Sequence, residues 1–273
     1  MATRRDFLRR TARQEMNVLV TGGTGTLGRH VVMLLRQSGH RARILSRQPR
    51  GHVDAVQGDL RTGAGLDRAV AGMDAIIHAA TGARESLTSR ATDIGGTRRL
   101  IDCAQQAGIG HLAYISIVGI DRVQGYPYYR TKLRTESVVQ QGGRPWSILR
   151  ATQFHDHMET FLRAFTKIPG LATVPFTWKF QPVDSNEVAQ RLVDVALQPP
   201  AGMLPDFGGP EVLDFKSIAE AWLTARKEAR RLVNLPLPFQ FSKQWGEGLI
   251  TCPDHKDGKI TFAQYLKEKY TLS

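Results

Sequence analysis

Cysteine is nearly absent from this chain: its 273 residues include only Cys103 and Cys252. Two cysteines that far apart supply neither a disulfide framework nor a structural metal site, and a reducing, cytoplasmic setting suits them. Cys103 falls in the apolar-periodic stretch LIDCAQQA and reads as a small buried hydrophobe. No apolar run reaches the roughly 18–20 residues that cross a bilayer, so no membrane span is expected. Internal repeats, low-complexity segments, zinc-finger spacings and aromatic RNA-binding signatures are also missing. The last two absences matter because the formal net charge is +12. Bulk positive charge promotes non-specific association but defines no site, so no specific nucleic-acid partner is expected.

Part of that charge is concentrated at the start of the chain. Residues 1–15 hold five arginines against Asp6 and Glu15. Within them Thr3-Arg4-Arg5-Asp6-Phe7-Leu8-Arg9 resembles a twin-arginine export motif. Such a signal also needs an apolar segment and a small-residue cleavage site, yet the residues after Arg9 stay polar. Residues 1–15 are therefore read as a disordered basic leader, with the folded chain starting at Met16.

What is abundant is a regular alternation. Apolar, β-rich runs at Asn17–Thr21, Arg41–Leu45, Ala75–Ala79, His111–Ser116 and Trp146–Arg150 alternate with helix-period segments at Leu27–Gln37, Leu66–Ala71, Gly96–Ala107 and Tyr128–Gln140. Nearly continuous apolar strands separated by helices imply parallel βαβ units with both sheet faces covered. Right-handed crossovers then give an α/β fold with a doubly wound, Rossmann-type parallel sheet. After residue 150 the rhythm loosens, with helices expected at Asp156–Thr166, Asn186–Ala196, Lys216–Arg230 and Ile260–Glu268. We read 16–273 as one domain, in which 151–273 forms a small substrate lobe over the strand ends.

The first strand runs into Thr21-Gly22-Gly23-Thr24-Gly25-Thr26-Leu27-Gly28, with glycines spaced G-x-x-G-x-x-G. Gly22 permits a tight turn, Gly25 a close backbone approach to a pyrophosphate, and Gly28 close packing of helix on strand. The helix N-terminus adds amide donors and partial positive charge. Strand before and helix after make this a dinucleotide site formed by Gly22, Thr24, Gly25, Thr26, Leu27 and Gly28. An NAD(H) site wants an acidic residue at the end of the second strand for the ribose 2′-hydroxyl. Ser46 and Arg47 stand there instead, and they suit the 2′-phosphate of NADP(H). Asp59 and Leu60 are placed near the adenine, and Ala79, Ala80 and Thr81 where a strand end must admit the cofactor closely.

Ser116 ends a strand, and eleven residues later Pro127-Tyr128-Tyr129-Arg130-Thr131-Lys132 opens a helix, which puts Tyr128 twelve residues after Ser116. Tyr128 and Lys132 are i and i+4 on one face, whereas Tyr129 is rotated away by about 100°. A free tyrosine titrates near pH 10, and a neighbouring ammonium lowers that value. Tyr128 can then exchange a proton with a carbonyl or alcohol while Ser116 hydrogen-bonds the same oxygen. Beyond the strand Trp146–Leu149, Gln153, Phe154 and His155 are expected to line a pocket for a small-molecule substrate. His155 and His157, two apart at a helix start, diverge too far for a metal. Phe176, Trp178 and Phe180 alternate and read as core.

These motifs resemble the short-chain dehydrogenase/reductase superfamily. Within it, the chain is most similar to the atypical branch holding NmrA-like and NAD(P)H-binding quinone-reductase proteins. The resemblance rests on TGGTGTLG, YISIVGID, PYYRTK, GRPWSILRATQF (Gly143–Phe154) and CPDHKDGKITFAQYL, and it covers nearly everything from Met16. It implies a Rossmann core, an NADP(H) site that includes Lys132, and oxidoreductase chemistry by Ser116, Tyr128 and Lys132. The superfamily's catalytic asparagine falls at Asp93 here, a change that bears on the proton relay. Some members of the branch are regulators without turnover, so an NAD(P)H-binding sensor is the alternative reading. Oligomeric state is left open.

Overall fold

The computed structural model describes residues 15–49, 51, 53–82 and 90–271. The expected leader lies outside them except for Glu15, whose carboxylate meets Arg41 Nε at 2.6 Å. The described chain forms two compact units. The first holds the segment ending at Ser116, with Arg130–Leu149 and Ala189–Leu204; the second holds Ile117–Tyr129, Arg150–Val188 and the chain from Pro205 onward.

The first unit is built on a seven-stranded parallel sheet. Its strands are β1 (Asn17–Thr21), β2 (Arg41–Ser46), β3 (Ala55–Gln57), β4 (Ala75–His78), β5 (His111–Ile117), β6 (Trp146–Ala151) and β9 (Gly202–Met203), in the order β3-β2-β1-β4-β5-β6-β9. The doubly wound Rossmann-type arrangement is thus as the sequence implies. Val18, Leu19 and Val20 of β1 have no exposed surface, which is why that strand is apolar on both faces. Helix α1 (Thr26–Gln37) buries Leu27, Gly28, Val31, Val32 and Leu35, one stripe at helical spacing. Helices α2 (Leu66–Val70), α3 (Thr97–Gln106) and α4 (Pro127–Gln141) follow, with a π-helical turn over Ala91–Gly96 ahead of α3. A core of Leu19, Leu66, Ile76, Leu100, Leu112 and Ile148, among others, joins sheet to helices.

Strand order reverses at β1, which pairs with β2 on one side and β4 on the other. The crevice outside the carboxyl ends of two such diverging strands is where this architecture binds ligands.

The second unit contains β7 (Leu171–Val174), paired in parallel with β11 (Arg231–Asn234), and β8 (Lys179–Phe180), paired antiparallel with β10 (Leu213–Asp214). Helices α5 (His155–Phe165), α7 (Phe215–Ala225), α8 (Gln240–Gly246) and α9 (Phe262–Thr271) complete it, and α6 (Ser185–Leu197) links back to the first unit. The helix expected over Lys216–Arg230 stops at Ala225. Lys227 takes a left-handed φ of 55°, and the chain then enters β11. Trp178 and Phe180 are core, as expected, while Phe176 is only half-buried.

A buried carboxylate ties α9 to α5. Glu159 receives Tyr265 Oη at 2.7 Å, Lys269 Nζ at 2.5 Å, Tyr270 Oη at 2.5 Å and the Trp222 indole N–H at 3.2 Å. Burial alone would raise its pKa, but these hydrogen bonds outweigh it and hold the group down to about 2. No helix among the described residues is long and apolar enough to cross a membrane.

Candidate functional site

The predicted cofactor residues converge because β1 to β5 are parallel. Gly22, Arg47, Asp59, Ala79 and Ser116 each stand at or just past the carboxyl end of one of those strands, and therefore at one edge of the sheet.

At the reversal point the backbone is crowded enough to require glycine. Gly22 has φ +72°, and a Cβ there would stand 2.8 Å from the Ala79 carbonyl and the Ala80 nitrogen. At Gly28 a Cβ would lie 2.1 Å from the Gly22 carbonyl oxygen, so α1 packs directly on the loop. Gly25 differs: its φ is −81°, its nearest obstacle is at 3.3 Å, and it is exposed beside exposed Thr24. Gly25 is also the N-cap of α1, with no side-chain acceptor and no acidic residue in the first turn. The first-turn amides of Thr26, Leu27 and Gly28 therefore lack a side-chain cap, the condition under which a helix start accepts phosphate. This cradle fits a dinucleotide pyrophosphate.

Around it, Arg47 is exposed and has no ion pair among the described residues. Ser46 Oγ is engaged in its own turn, donating to the Gln48 carbonyl at 2.9 Å. Asp59 caps the turn that follows β3, accepting the Arg61 amide at 2.8 Å, and buried Leu60 packs on Gly96.

The interior beneath this edge is polar, a feature absent from the sequence expectations. His78, completely buried at the end of β4, bridges Thr21 Oγ1 at 2.6 Å and Thr97 Oγ1 at 2.8 Å. The Thr21 hydroxyl also receives the Ala80 amide at 3.2 Å. Burial, aided by the charge of Lys132, lowers the His78 pKa to about 3, so the ring is neutral and structural. A histidine interrupting the apolar run AIIHAA was the available signal, since a buried ring needs partners on both nitrogens.

Lys132 is 3% exposed. Its Nζ donates to the Ile115 carbonyl at 2.9 Å and lies 4.2 Å from the centre of the Tyr114 ring. Burial pulls its pKa down to about 8, partly offset by the charges of Asp93 and Glu136. Next to Ile115, the Ser116 hydroxyl is buried and has no hydrogen-bond partner among the described residues. Asp93 sits in the π-helical turn, 1% exposed, with Oδ2 accepting the Gly82 amide at 3.0 Å. Burial raises its pKa, while the Thr81 hydroxyl, Lys132 and the Gly82 amide oppose the shift. Helix α4 carries Tyr128 one turn before Lys132. Tyr128 is half-buried, whereas Tyr129 is 4% exposed and burial raises its pKa.

The three expected pocket residues fare differently. Gln153 is buried, its Nε2 donating to the Ile250 carbonyl at 3.2 Å and its Oε1 accepting the Gln181 amide at 3.4 Å. His155 is fully buried, with Nε2 3.1 Å from the Ile260 carbonyl and its ring stacked on Tyr265. Both side chains fasten loops of the second unit. Phe154 caps α5 and keeps part of its ring open.

Comparison with known proteins agrees with the dinucleotide cradle. A family model described as NAD(P)H-binding matches residues 22–199. The photosystem II assembly factor Ycf39 of Trieres chinensis is 29% identical over 148 residues, 51% of this chain and 46% of that protein. The (4-alkanoyl-5-oxo-2,5-dihydrofuran-3-yl)methyl phosphate reductase of Streptomyces griseus is 33% identical over 144 residues, 50% of this chain and 48% of that one. The chain thus spans about half the length of these curated relatives. A short-chain dehydrogenase/reductase superfamily protein of Agrobacterium tumefaciens, solved with bound NAD, superposes with a TM-score of 0.73. That match covers 93% of this chain and 96% of the other at 20% identity, and it bears out the expected fold.

Proposed function

The chain belongs to the NAD(P)H-binding family, and we propose that it is an NADP(H)-dependent reductase of a small carbonyl, quinone or related electrophile. One observation carries the reading: at the carboxyl end of β5 the buried Lys132 ammonium holds the Ile115 carbonyl, and the hydroxyl of the next residue, Ser116, is buried with no hydrogen-bond partner among the described residues. Groups so arranged next to a dinucleotide cradle have a chemical use.

In this reading the loop Gly22–Gly28 and the start of α1 hold the pyrophosphate. Arg47 and Ser46 take the 2′-phosphate, which sets NADP(H) above NAD(H). Asp59 and Leu60 flank the adenine, Ala79, Ala80 and Thr81 admit the cofactor along β4, and Lys132 reaches the nicotinamide ribose. The dinucleotide supplies or accepts the hydride. Tyr128 gives the proton to the substrate oxygen, and Ser116 Oγ hydrogen-bonds that oxygen. The Lys132 ammonium stabilises the phenolate left on Tyr128. With its pKa brought down to about 8, Lys132 can also return a proton to Tyr128 near neutral pH.

A second reading, a dinucleotide-binding regulator without turnover, draws on Asp93. Its carboxylate stands where short-chain dehydrogenase/reductases carry asparagine. NADPH oxidation measured against a panel of aldehydes, ketones and quinones separates the two. Turnover of any panel member supports the reductase; tight NADPH binding with no turnover across the panel supports the regulator.

A further inference from the structure

One stretch of the second unit is apolar and yet contributes nothing to an interior. From Arg231 to Phe241 the chain reads RLVNLPLPFQF, and not one of these residues is buried. Val233 is 37% exposed and Phe239 55%, while Leu232, Leu235 and Leu237 are half-buried. The stretch begins as β11, which pairs with β7 in a sheet of two strands. It ends with Phe239 lying flat on Phe241, whose ring stands 6.3 Å from that of buried Trp178. Beside its start runs Lys167-Ile168-Pro169-Gly170, exposed throughout, with Ile168 at 54%. The two segments are fastened together. Arg230 reaches the Thr166 and Ile168 carbonyls at 3.0 and 3.1 Å, and the Arg231 amide donates to the Gly170 carbonyl at 2.9 Å.

The charge along this strip is of one sign. The sequence has no Asp or Glu from Thr160 to Val183, where Arg163, Lys167 and Lys179 stand. It has none from Ala229 to Gly246, where Arg230, Arg231 and Lys243 stand. The acids bordering the second stretch are already matched, Glu228 by Arg226 and Arg230 at 2.5 and 2.8 Å, and Glu247 by Lys243 at 3.8 Å. Lys167 and Arg231 are exposed and have no ion pair among the described residues. Free cations beside an open apolar strip fit a surface that offers fixed negative charge and apolar depth together, which is an anionic lipid layer. A second copy of the chain fits less well, because it brings a second set of the same cations to the contact. Strand addition along four-residue β11 also stops early, since Pro236 and Pro238 lack the N–H that would extend a ladder. Protein partners draw on tyrosine and tryptophan anchors, whereas this strip offers leucine, valine, isoleucine, phenylalanine and proline.

We propose that this strip docks the protein on an anionic lipid surface, with Ile168, Val233 and Phe239 entering the headgroup region and Lys167 and Arg231 meeting lipid phosphates. Such docking needs neither a spanning helix nor a cofactor, so it stands or falls apart from the reductase reading. The full chain is sedimented with vesicles of phosphatidylcholine alone, and with vesicles of phosphatidylcholine and phosphatidylglycerol in equal parts. Saturable binding to the mixed vesicles is expected, weakened by salt, with neutral vesicles bound about tenfold more weakly or less. Lys167→Gln and Arg231→Gln should each weaken binding by about fivefold, and Phe239→Ser by about tenfold. All three side chains are exposed, so the variants are expected to keep the parent's melting temperature. Tryptophan emission of Phe239→Trp should shift to the blue on mixed vesicles, beyond any shift of the parent. Residues 1–15 are the same in every variant, so binding that none of the substitutions changes would belong to bulk charge and overturn the proposal. Failure to bind mixed vesicles, or equal binding to neutral ones, also overturns it. So does binding that needs the two cations but neither loses affinity in Phe239→Ser nor shifts emission in Phe239→Trp, since any acidic partner would then serve. A concentration-dependent dimer that Phe239→Ser dissolves would give the strip to a second copy instead.

Discussion

Lys132 Nζ and the Ile115 carbonyl oxygen meet at 2.9 Å, a contact that holds α4 against the carboxyl end of β5. The ammonium making it is buried, and burial brings its pKa from the ordinary lysine value near 10.5 to about 8. The charged form therefore predominates below pH 8 and is lost as pH rises through that value. NADPH-dependent kcat/KM should fall above about pH 8. Lys132→Met should abolish that limb and lower both rate and cofactor affinity. Because the Asp93 charge supports the ammonium, Asp93→Asn should move the limb to lower pH. A profile flat to pH 10 in the parent would remove Lys132 from the chemistry.

In the proposed NADP(H) site, Arg47, exposed and without an ion pair among the described residues, is the residue that would set cofactor choice. Titration should show NADPH binding more tightly than NADH. Arg47→Asp should erase or reverse the preference, with a loss of about 1–3 kcal/mol for the charge-assisted contact. Equal affinities in the parent would sink the assignment.

The loop glycines separate binding from stability. A Cβ at Gly28 meets the Gly22 carbonyl at 2.1 Å, so Gly28→Ala should destabilise the protein by about 1–3 kcal/mol or more as well as weaken NADPH binding. Gly25 has an ordinary φ, and a Cβ there would meet only the Gly22 carbonyl oxygen, at 3.3 Å. Gly25→Ala should therefore cost much less stability than Gly28→Ala and lose affinity. If both variants lose stability equally, the open approach at Gly25 is wrong.

The sheet and the cradle were legible because each depends on neighbours in sequence. Val18–Val20 read as a buried strand, and the glycine spacing needs only the strand before and the helix after. What sequence did not give depends on distant partners. Three-residue β3 and two-residue β9 are too short to show a period, and their pairing with β2 and β6 is decided in space. Parallel β7 and β11 lie some sixty residues apart. Gln153 and His155 sit at a strand exit, where a pocket was expected, yet their polar atoms serve Ile250, Gln181 and Ile260 from loops that sequence does not bring near.

Glu159 is another such partner set, and it makes the second unit acid-sensitive. Its folded pKa of about 2 lies below the ordinary glutamate value of 4.5. The stability it contributes is therefore present above about pH 4.5 and is lost as pH falls toward 2. Glu159→Gln should cost about 3 kcal/mol at pH 7, since Lys269 and two tyrosine hydroxyls lose a buried anion. It should also flatten the decline of melting temperature between pH 4.5 and 2. An unchanged decline would place the acid sensitivity elsewhere.

One substitution decides whether Tyr128 moves a proton. Tyr128→Phe keeps the ring and deletes only the hydroxyl, while Tyr129→Phe does the same for the buried neighbour. With the most active substrate of the panel, Tyr128→Phe should lower kcat by about 10²–10⁴-fold, the usual worth of general acid–base catalysis. Its NADPH affinity should stay within twofold of the parent, and Tyr129→Phe should turn over nearly normally. An undiminished kcat in Tyr128→Phe would show that Tyr128 is not the proton donor.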